Sequence, residues 1–314
     1  YKKSISLMGG ISNAYTTTDH TSYFINTTKD NLNLAINTIY EWMFFNSFET
    51  KEVNREKEVI TREIEKNNAN INRKFYYLSQ ENLYKSHPVK IPVIGYIDTF
   101  KKISKSDLID FYKTYYIPSN MILIVGGNIN NKETKAYIEN LFNKQKKQPA
   151  PIMYEPIQSP PVVSRTQTHN LDMNKSIVNL RFPTVKLNSK YLYPLDLLDY
   201  MLGNGTQSIL YKELVDEKKL AYSIYTSSYT PQYCEGYFEV QIETDQKNIE
   251  NVTKETLKII NSLKTKKLPI SLIKKAKKQK LAENIPSIDS IEDKTNRLAL
   301  SYFYSDTTDF YDKY

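Results

Sequence analysis

The stretch from Gly9 to Glu65 constrains the fold of this chain more than any other, because it joins a tight hairpin to a helix with aligned carboxylates. Two runs of alternating apolar and polar residues, 11–17 and 21–27, flank Asp19 and His20. This spacing predicts two antiparallel strands connected by a short turn.

Two helices are predicted directly after the hairpin, over 31–45 and 51–66. The first has Leu34, Ile39, Trp42 and Met43 near helical spacing. At about 100° per residue, the second places one apolar stripe along its length, formed by Val53, Ile60 and Ile64. Glu56 and Glu63 are seven residues apart and stack on a face roughly 60–80° from that stripe. We therefore expect both carboxylates at the rim of a buried face.

An acidic helix face has an ordinary interpretation, in which water and neighbouring bases solvate the carboxylates. The bases are present in this segment: Arg55, Lys57, Arg62 and Lys66. Taken alone, the spacing of the two acids therefore favours a solvated surface over a metal site.

The order of motifs around this helix shifts the interpretation from a solvated surface toward a metal site. The stretch resembles the pitrilysin, insulysin and mitochondrial processing peptidase family, zinc peptidases with an inverted H-x-x-E-H motif. In that family a Gly-Gly-x-x-Asn-Ala-x-Thr strand precedes a Thr-x-Tyr strand and a helix with an E-x-x-V-x-x-E-like run. This chain has the matching residues in the same order: Gly9, Gly10, Asn13, Ala14, Tyr15, Thr16, Thr21, Tyr23, Glu56, Val59 and Glu63. The likeness continues through 86–95 and 103–129, where the family has a loop, a helix and a strand reading Asn-Met-x-Leu.

The resemblance implies a role for four of these residues. Glu63 matches the distal zinc ligand, and Glu56 matches the acid that supports the site. Asn13 and Ala14 match the edge strand that holds the substrate backbone. The implied cofactor is Zn²⁺, and the implied partner is a peptide substrate.

A second match lies in the segment 203–224, which is similar to the family's Gly-x-x-S-x-Leu-Tyr-x-x-Leu signature. Tyr222 stands at the position of a tyrosine that contacts substrate. The family places an arginine seven residues earlier, where this chain has Val215. The resemblance therefore implies a second homologous half, in the same polypeptide or in a partner subunit, which closes over the first.

Three histidines occur in the chain, and none lies in an H-x-x-E-H motif: His20, His87 and His169. On the family's spacing that motif would lie roughly a dozen or more residues before Tyr1. We therefore expect a fragment that cannot assemble a three-ligand zinc site by itself. For His20, in the predicted turn, a structural role is favoured over metal ligation.

Domain organisation is indicated by five prolines within 144–161, which interrupt regular structure. The predicted domains are 1–146 and 164–314, with a linker over 147–163. The second domain repeats the order of two strands and two helices, so the predicted fold is α+β. We expect duplicated α/β sandwich domains, each with a mainly antiparallel sheet and helices packed on one face. The repeat has lysines where the first copy has its acids, so only the first copy suits a cation.

Composition excludes several classes of protein. The net charge of +8 is spread along the chain and does not indicate a nucleic-acid partner. The densest basic run, 264–280, is better interpreted as an amphipathic helix with a solvated face than as a binding patch. One cysteine excludes an internal disulfide framework, and no apolar run reaches the length of a membrane span. The compartment is not determined.

Three functions are compatible with these observations. The first is a zinc endopeptidase that cleaves extended or unfolded peptides inside a two-half chamber, complete only with residues beyond this fragment. The second is an inactive family member that serves as partner subunit or scaffold. The third is an unrelated interaction module, or an anion binder that uses the lysine-rich helix. Retention of both Glu56 and Glu63 favours the enzyme, because packing alone does not require two acids beside an apolar stripe.

Overall fold

The structure, a computed structural model, describes residues 5, 9–152, 156, 163–284 and 290–313. The chain divides into two compact units that interleave along the sequence. Unit 1 comprises Tyr1–Asn70, Ile91–Tyr154 and Asp289–Tyr314, and unit 2 comprises Ile71–Lys90 and Glu155–Ile288. Most of the predicted linker, 153–155 and 157–162, lies outside the described residues.

Five strands form two antiparallel sheets among the described residues. The strands are β1 (Ile11–Thr16), β2 (Thr21–Asn26), β3 (Ser176–Pro183), β4 (Ser223–Tyr229) and β5 (Tyr237–Thr244). Unit 1 has the hairpin β1–β2, in which Ile11 pairs with Asn26 and Thr16 with Thr21. Unit 2 has three strands in the order β3–β5–β4.

Helices make up most of the remaining regular structure. Those before the proline-rich segment are α1 (Leu32–Phe44), α2 (Thr50–Ala69), α3 (Ile71–Leu83), α4 (Ile97–Lys102), α5 (Lys105–Tyr115) and α6 (Asn131–Phe142). Those after it are α7 (Leu192–Leu202), α8 (Ile249–Ser262), α9 (Ile270–Asn284), α10 (Ile291–Ser305) and the single turn α11 (Phe310–Lys313). A π-helical segment, Tyr211–Glu217, lies between α7 and β4.

A core of unit 1 forms where α1 packs against α6. Ile36, Tyr40 and Leu141 are buried there, and Tyr40 lies edge-on to Phe142 with ring centroids 5.3 Å apart. The predicted helix is confirmed, but only Met43 of its four predicted apolar residues is buried. Ile39 and Trp42 are half-buried, and Leu34 is 48% exposed. The buried side of α1 runs instead through Ile36, Tyr40 and Met43, which follow helical spacing more closely.

In the part of the chain that the structure describes, the strand that the resemblance implies after Asn120 does not form. Met121 has extended backbone angles, yet residues 121–126 belong to no ladder in the described part of the chain. A β-strand is defined by the neighbour to which its backbone groups bond. The described part of unit 1 gives this segment no such neighbour, and Ile122 is 45% exposed.

The core of unit 2 lies on one face of its sheet. Alternate residues of β5 point to that face and are buried, namely Phe238, Val240 and Ile242. They pack against Leu202 of α7, Leu210 and Leu214 near the π-helical segment, and Val252 of α8. Because the apolar side chains of β5 all point to this face, α7 and α8 both pack on the same side of the sheet.

The other face of the same sheet carries a buried polar network. Arg181 of β3 donates to Glu239 of β5 over 2.6 Å, and its guanidinium also donates to Gln80 of α3 over 2.9 Å. The charged side chains are 6% and 10% exposed. The helix α3 thus covers one end of this second face, which makes its packing part of unit 2.

The α+β class with antiparallel sheets and packed helices is confirmed. The order strand, strand, helix, helix occurs in unit 1 as β1–β2–α1–α2 and in unit 2 as β4–β5–α8–α9. No helix in the described part of the chain has both the length and the apolar content needed to cross a bilayer.

Candidate functional site

The helix α2 carries the two aligned acids, and its buried face is fixed within unit 1. Ile64 is fully buried, and Val53 and Ile60 are half-buried. A small apolar cavity of about 80 Å³ lies beside α2, lined by Val53, Glu56, Lys57, Ile60, Phe100, Ile103 and Leu108. The predicted stripe of Val53, Ile60 and Ile64 is therefore the side by which this helix packs.

Lys57 fixes the same helix by a polar contact. Its Nζ donates to the carbonyl of Ile103 over 2.6 Å and to that of Lys101 over 3.3 Å. These carbonyls lie at the end of α4, where a helix leaves acceptors without intrahelical donors. The ammonium group satisfies two of them and ties α2 to α4, so it opposes rotation of α2 about its axis.

Glu56 and Glu63 lie on one side of α2, and both are exposed. Glu56 accepts from Arg55 over 3.0 Å, and Arg55 also pairs with Glu52 over 2.6 Å. Glu63 has no hydrogen bond or ion pair within the described residues. The carboxylate of Glu63 is thus available to a ligand or cation, whereas that of Glu56 is partly neutralised by its neighbour.

The described residues supply only part of a ligand set for a zinc ion. Structural and catalytic zinc sites use at least three protein ligands, drawn from His, Cys, Asp and Glu. Within the described ranges, no group of three such side chains is arranged to hold a metal. Glu63 is one candidate ligand, and the described residues do not fit a zinc ion by themselves.

His20 occupies the hairpin turn, as predicted, and its surroundings are those of a packed turn residue. Its Nδ1 lies 2.8 Å from Asp19 Oδ1 and 3.0 Å from Thr17 Oγ1. Its ring packs against Phe303 at 5.1 Å and against Tyr15 at 5.8 Å between centroids. The Nε2 atom is buried without a hydrogen-bond partner among the described residues.

Asn13 and Ala14 lie in β1, and both side chains are exposed. In the described part of the structure β1 pairs with β2 alone, so its second edge has no strand beside it. The Asn13 Oδ1 atom accepts a hydrogen bond from the Ala14 N–H over 2.9 Å. This short-range bond occupies a backbone donor of the kind that an added strand uses.

Tyr222 lies in unit 2, just before β4, and is 49% exposed. Its hydroxyl donates to Asp245 Oδ1 over 3.0 Å, and Lys175 Nζ lies 3.1 Å from the centre of its ring. The hydrogen bond to Asp245 raises the pKa of the Tyr222 hydroxyl, because ionisation would place two negative charges side by side. Tyr222 is thus held by an acid and by a cation over its ring.

Val215 lies within the π-helical segment and packs against the core of unit 2. An arginine at this position would direct its guanidinium toward apolar side chains. This position thus holds an apolar residue that packs in the core, where the family pattern has an arginine. It therefore supplies no cation.

The sequence reasoning missed Lys57, Lys175 and Asp245. Lys57 could have been found, because at about 100° per residue it falls on the same side of α2 as Val53 and Ile64. A lysine within an apolar stripe indicates a buried polar contact. The partners of Tyr222 are distant in sequence and carry no comparable signal.

Two family models match the chain. The model described as "Insulinase (Peptidase family M16)" matches residues 1–96, and the model described as "Peptidase M16 inactive domain" matches residues 102–280. Together they cover most of the sequence, and the second alone covers more than half.

Relatives and solved structures agree with these matches. The zinc protease PqqE of Helicobacter pylori is 28% identical over 301 residues, which are 93% of this chain and 67% of that protein. A crystal structure of a protease from Helicobacter pylori superposes with a TM-score of 0.86 at 26% identity, covering 99% of this chain and 76% of the other. The first half of the periplasmic protease PqqL from Escherichia coli superposes with a TM-score of 0.69 at 20% identity, covering 93% of this chain and 65% of the other. The chain belongs to peptidase family M16, the insulinase family.

Proposed function

We propose that this chain is part of a zinc-dependent endopeptidase and that α2 contributes Glu63 to the zinc. The observation that carries the proposal is the environment of the Glu63 carboxylate. Its carboxylate is exposed and has no partner within the described residues, yet its helix is fixed by packing and by Lys57. The relative PqqE is named a zinc protease, which supports the choice of metal.

A bound zinc ion would supply a Lewis acid and an activated water to a peptidase. Its remaining ligands would have to come from outside the described residues. In this proposal Glu56 supports the site from one face of the same helix. Its ion pair with Arg55 leaves it less free than Glu63, which suits a supporting role better than direct ligation.

The proposed substrate is an extended or unfolded peptide that adds to the free edge of β1. Backbone hydrogen bonds to a sheet edge give affinity without demanding a particular sequence. The Ala14 N–H, bonded to its neighbour's side chain in this structure, would exchange Asn13 for the peptide. A folded protein does not offer an unpaired strand, so strand addition would select unfolded chains. Enclosure of the site by a second half would select them as well.

A second homologous half is part of the same proposal. Val215 packs in a core where the family pattern has an arginine, so the substrate contact of Tyr222 has no adjacent cation from that position. The name of the PqqL structure refers to a first half, which is consistent with a two-half molecule. We expect a monomer lacking the second half to cleave an unstructured peptide poorly, and addition of that half to restore cleavage. Full activity of a monomer, verified by light scattering, would contradict this expectation.

The test of enzymatic function is cleavage of an unstructured peptide by the full-length protein. We expect cleavage that a chelator abolishes and that added zinc restores, while the same peptide placed within a folded protein stays intact. A matched protein with Glu63→Gln should remain inactive after zinc is restored. Cleavage that persists after the metal has been removed would overturn the proposal.

The second candidate is an inactive family member that serves as a partner subunit. Two observations favour it: the described residues supply no three-ligand group, and the match over residues 102–280 is to an inactive domain. In that case the full-length protein would bind no zinc and would cleave no peptide alone. It would instead raise the activity of a homologous subunit when the two are mixed.

A further inference from the structure

Seven exposed lysines are concentrated in a short segment of unit 2, in the turn after α8 and along α9. We define this lysine patch as Lys264, Lys266, Lys267, Lys274, Lys275, Lys277 and Lys278. None of the seven side chains makes a hydrogen bond or ion pair within the described residues. The patch is therefore not neutralised by the part of the fold that surrounds it.

The helix α9 separates this surface cleanly from its packed side. Leu272, Ile273 and Ala276 pack against Tyr200 and Met201 of α7. At about 100° per residue, the opposite side presents five residues within an arc of roughly 100°, namely Ile270, Lys274, Lys277, Lys278 and Leu281. The two aliphatic residues are 71% and 64% exposed and stand near the two ends of the helix.

The lysines of α9 gain no stabilisation from the helix dipole, because they lie between its first and last turns. The N-terminal end of a helix favours acids, and α8 follows that rule with Glu250 in its first turn. The first turn of α9 has no acid, and its last turn has no base. Lysines at neighbouring positions also repel one another. A lysine-rich helix face can simply be solvated by water. Seven exposed lysines without acids paired to them among the described residues nevertheless make this part of unit 2 attractive to a partner that carries negative charge.

We propose that the lysine patch, with Ile270 and Leu281, is a docking surface for an anionic lipid bilayer. Lysine heads would lie among the anionic headgroups, and the two aliphatic side chains would reach the boundary of the acyl chains. The attraction would be mainly electrostatic, because the apolar side of α9 packs against α7 and leaves only these two exposed aliphatic side chains to reach the acyl chains.

The composition of the patch selects this partner over two others. Nucleic-acid surfaces use arginine for bidentate phosphate contacts and aromatic rings for stacking, and the patch contains neither. Protein interfaces are depleted in lysine and enriched in arginine and aromatic residues. Lysine point charges with flanking aliphatic side chains suit a diffuse anionic surface.

The test is sedimentation of the purified chain with lipid vesicles. One set contains phosphatidylcholine and phosphatidylglycerol, and the other contains phosphatidylcholine alone. The patch variant is Lys274→Gln with Lys277→Gln and Lys278→Gln. The matched control is Lys144→Gln with Lys146→Gln and Lys147→Gln, which removes the same charge from exposed lysines of unit 1. Thermal melting of each variant verifies that it is folded.

We expect the chain to bind the anionic vesicles and not the neutral ones, with binding that weakens as salt is raised. Each lysine near an anionic surface strengthens partitioning about fivefold, so the patch variant should bind about a hundredfold more weakly. The control should bind nearly as well as the wild type, and Leu281→Ser should show an intermediate loss. Three results would overturn the proposal: no binding to anionic vesicles, equal loss in the control, or tighter binding to duplex DNA or polyglutamate than to the vesicles.

Discussion

Asp199 illustrates how burial changes the chemistry of a single carboxyl group. Burial in unit 2 raises its pKa to about 6 from its ordinary value of 3.8. The hydroxyl of Thr226 donates to it over 2.5 Å and opposes the increase, as does the charge of Lys280. Asp196 and Glu283 add negative charge and raise it further. The folded protein therefore holds this proton more tightly than the unfolded chain does.

This difference makes the stability of unit 2 depend on pH. The folded pKa is above the unfolded one, so the contribution of Asp199 to stability is fully present below about pH 4 and is lost as pH rises toward about 6. We expect Asp199→Asn to stabilise the protein at neutral pH by about 1–2 kcal/mol, allowing for partial solvent access. Urea unfolding of the wild type and of the variant, at several pH values from acid to neutral, measures this difference in stability. An unchanged dependence of stability on pH in the variant would contradict the assignment.

Single residues also show where sequence reasoning succeeds. The stripe of α2 was predictable because three apolar residues at helical spacing must share one side, and Ile64 is indeed fully buried. The same geometry predicts Glu63 at the rim of that side, and its side chain is exposed in the structure. The partners of Tyr222 did not follow, because Lys175 and Asp245 meet its side chain only through the tertiary fold.

At the scale of elements, the contact between α2 and α4 depends on Lys57. We expect Lys57→Met to lower the free energy of unfolding by about 1–2 kcal/mol, because it keeps the apolar stem and removes the donor to two carbonyls. Lys57→Arg should retain much of the stability. The measurement is urea unfolding. The control is Lys51→Met, which changes an exposed lysine of the same helix. Equal stability of the two methionine variants would show that the contact contributes nothing.

The free edge of β1 gives a second prediction at this scale, which rests on the proposed function. Ala14→Pro removes the backbone N–H that a docked peptide would use, so KM for a long peptide should rise or cleavage should disappear. Zinc content should stay nearly intact. Ala14→Gly keeps the N–H and serves as the control. Normal KM in a folded Ala14→Pro protein would show that peptides do not pair with this edge.

Elements were predictable where local pattern decides them and not where pairing does. The hairpin β1–β2 and the helices α1, α2, α8 and α9 follow from spacing and turn residues. The segment 121–126 has a strand-like sequence, but no ladder forms there in the described part of the chain. A strand requires a partner, and single-sequence patterns do not specify one.

At the scale of the whole molecule, the interleaving of the two units was not visible in the sequence. The proline-rich segment indicates a division between 147 and 163, and this domain assignment stays a prediction. The compact units instead exchange segments, since 71–90 packs in unit 2 and the residues after 289 pack in unit 1. Gln80 explains the first exchange, because it completes the buried network of Arg181 and Glu239. That contact joins residues about a hundred positions apart, which no local pattern encodes.

We propose that Glu63 binds zinc, and the zinc content of the protein reports on that role without depending on a choice of substrate. Metal stoichiometry should be measured in the full-length protein with Glu63→Gln and with Glu65→Gln, an exposed acid that points about 200° away on the same helix. A neutral amide is a poor substitute for a carboxylate ligand. We expect loss of zinc and of peptidase activity together in Glu63→Gln, with both retained in Glu65→Gln. Unchanged zinc content and turnover in Glu63→Gln would contradict this proposal.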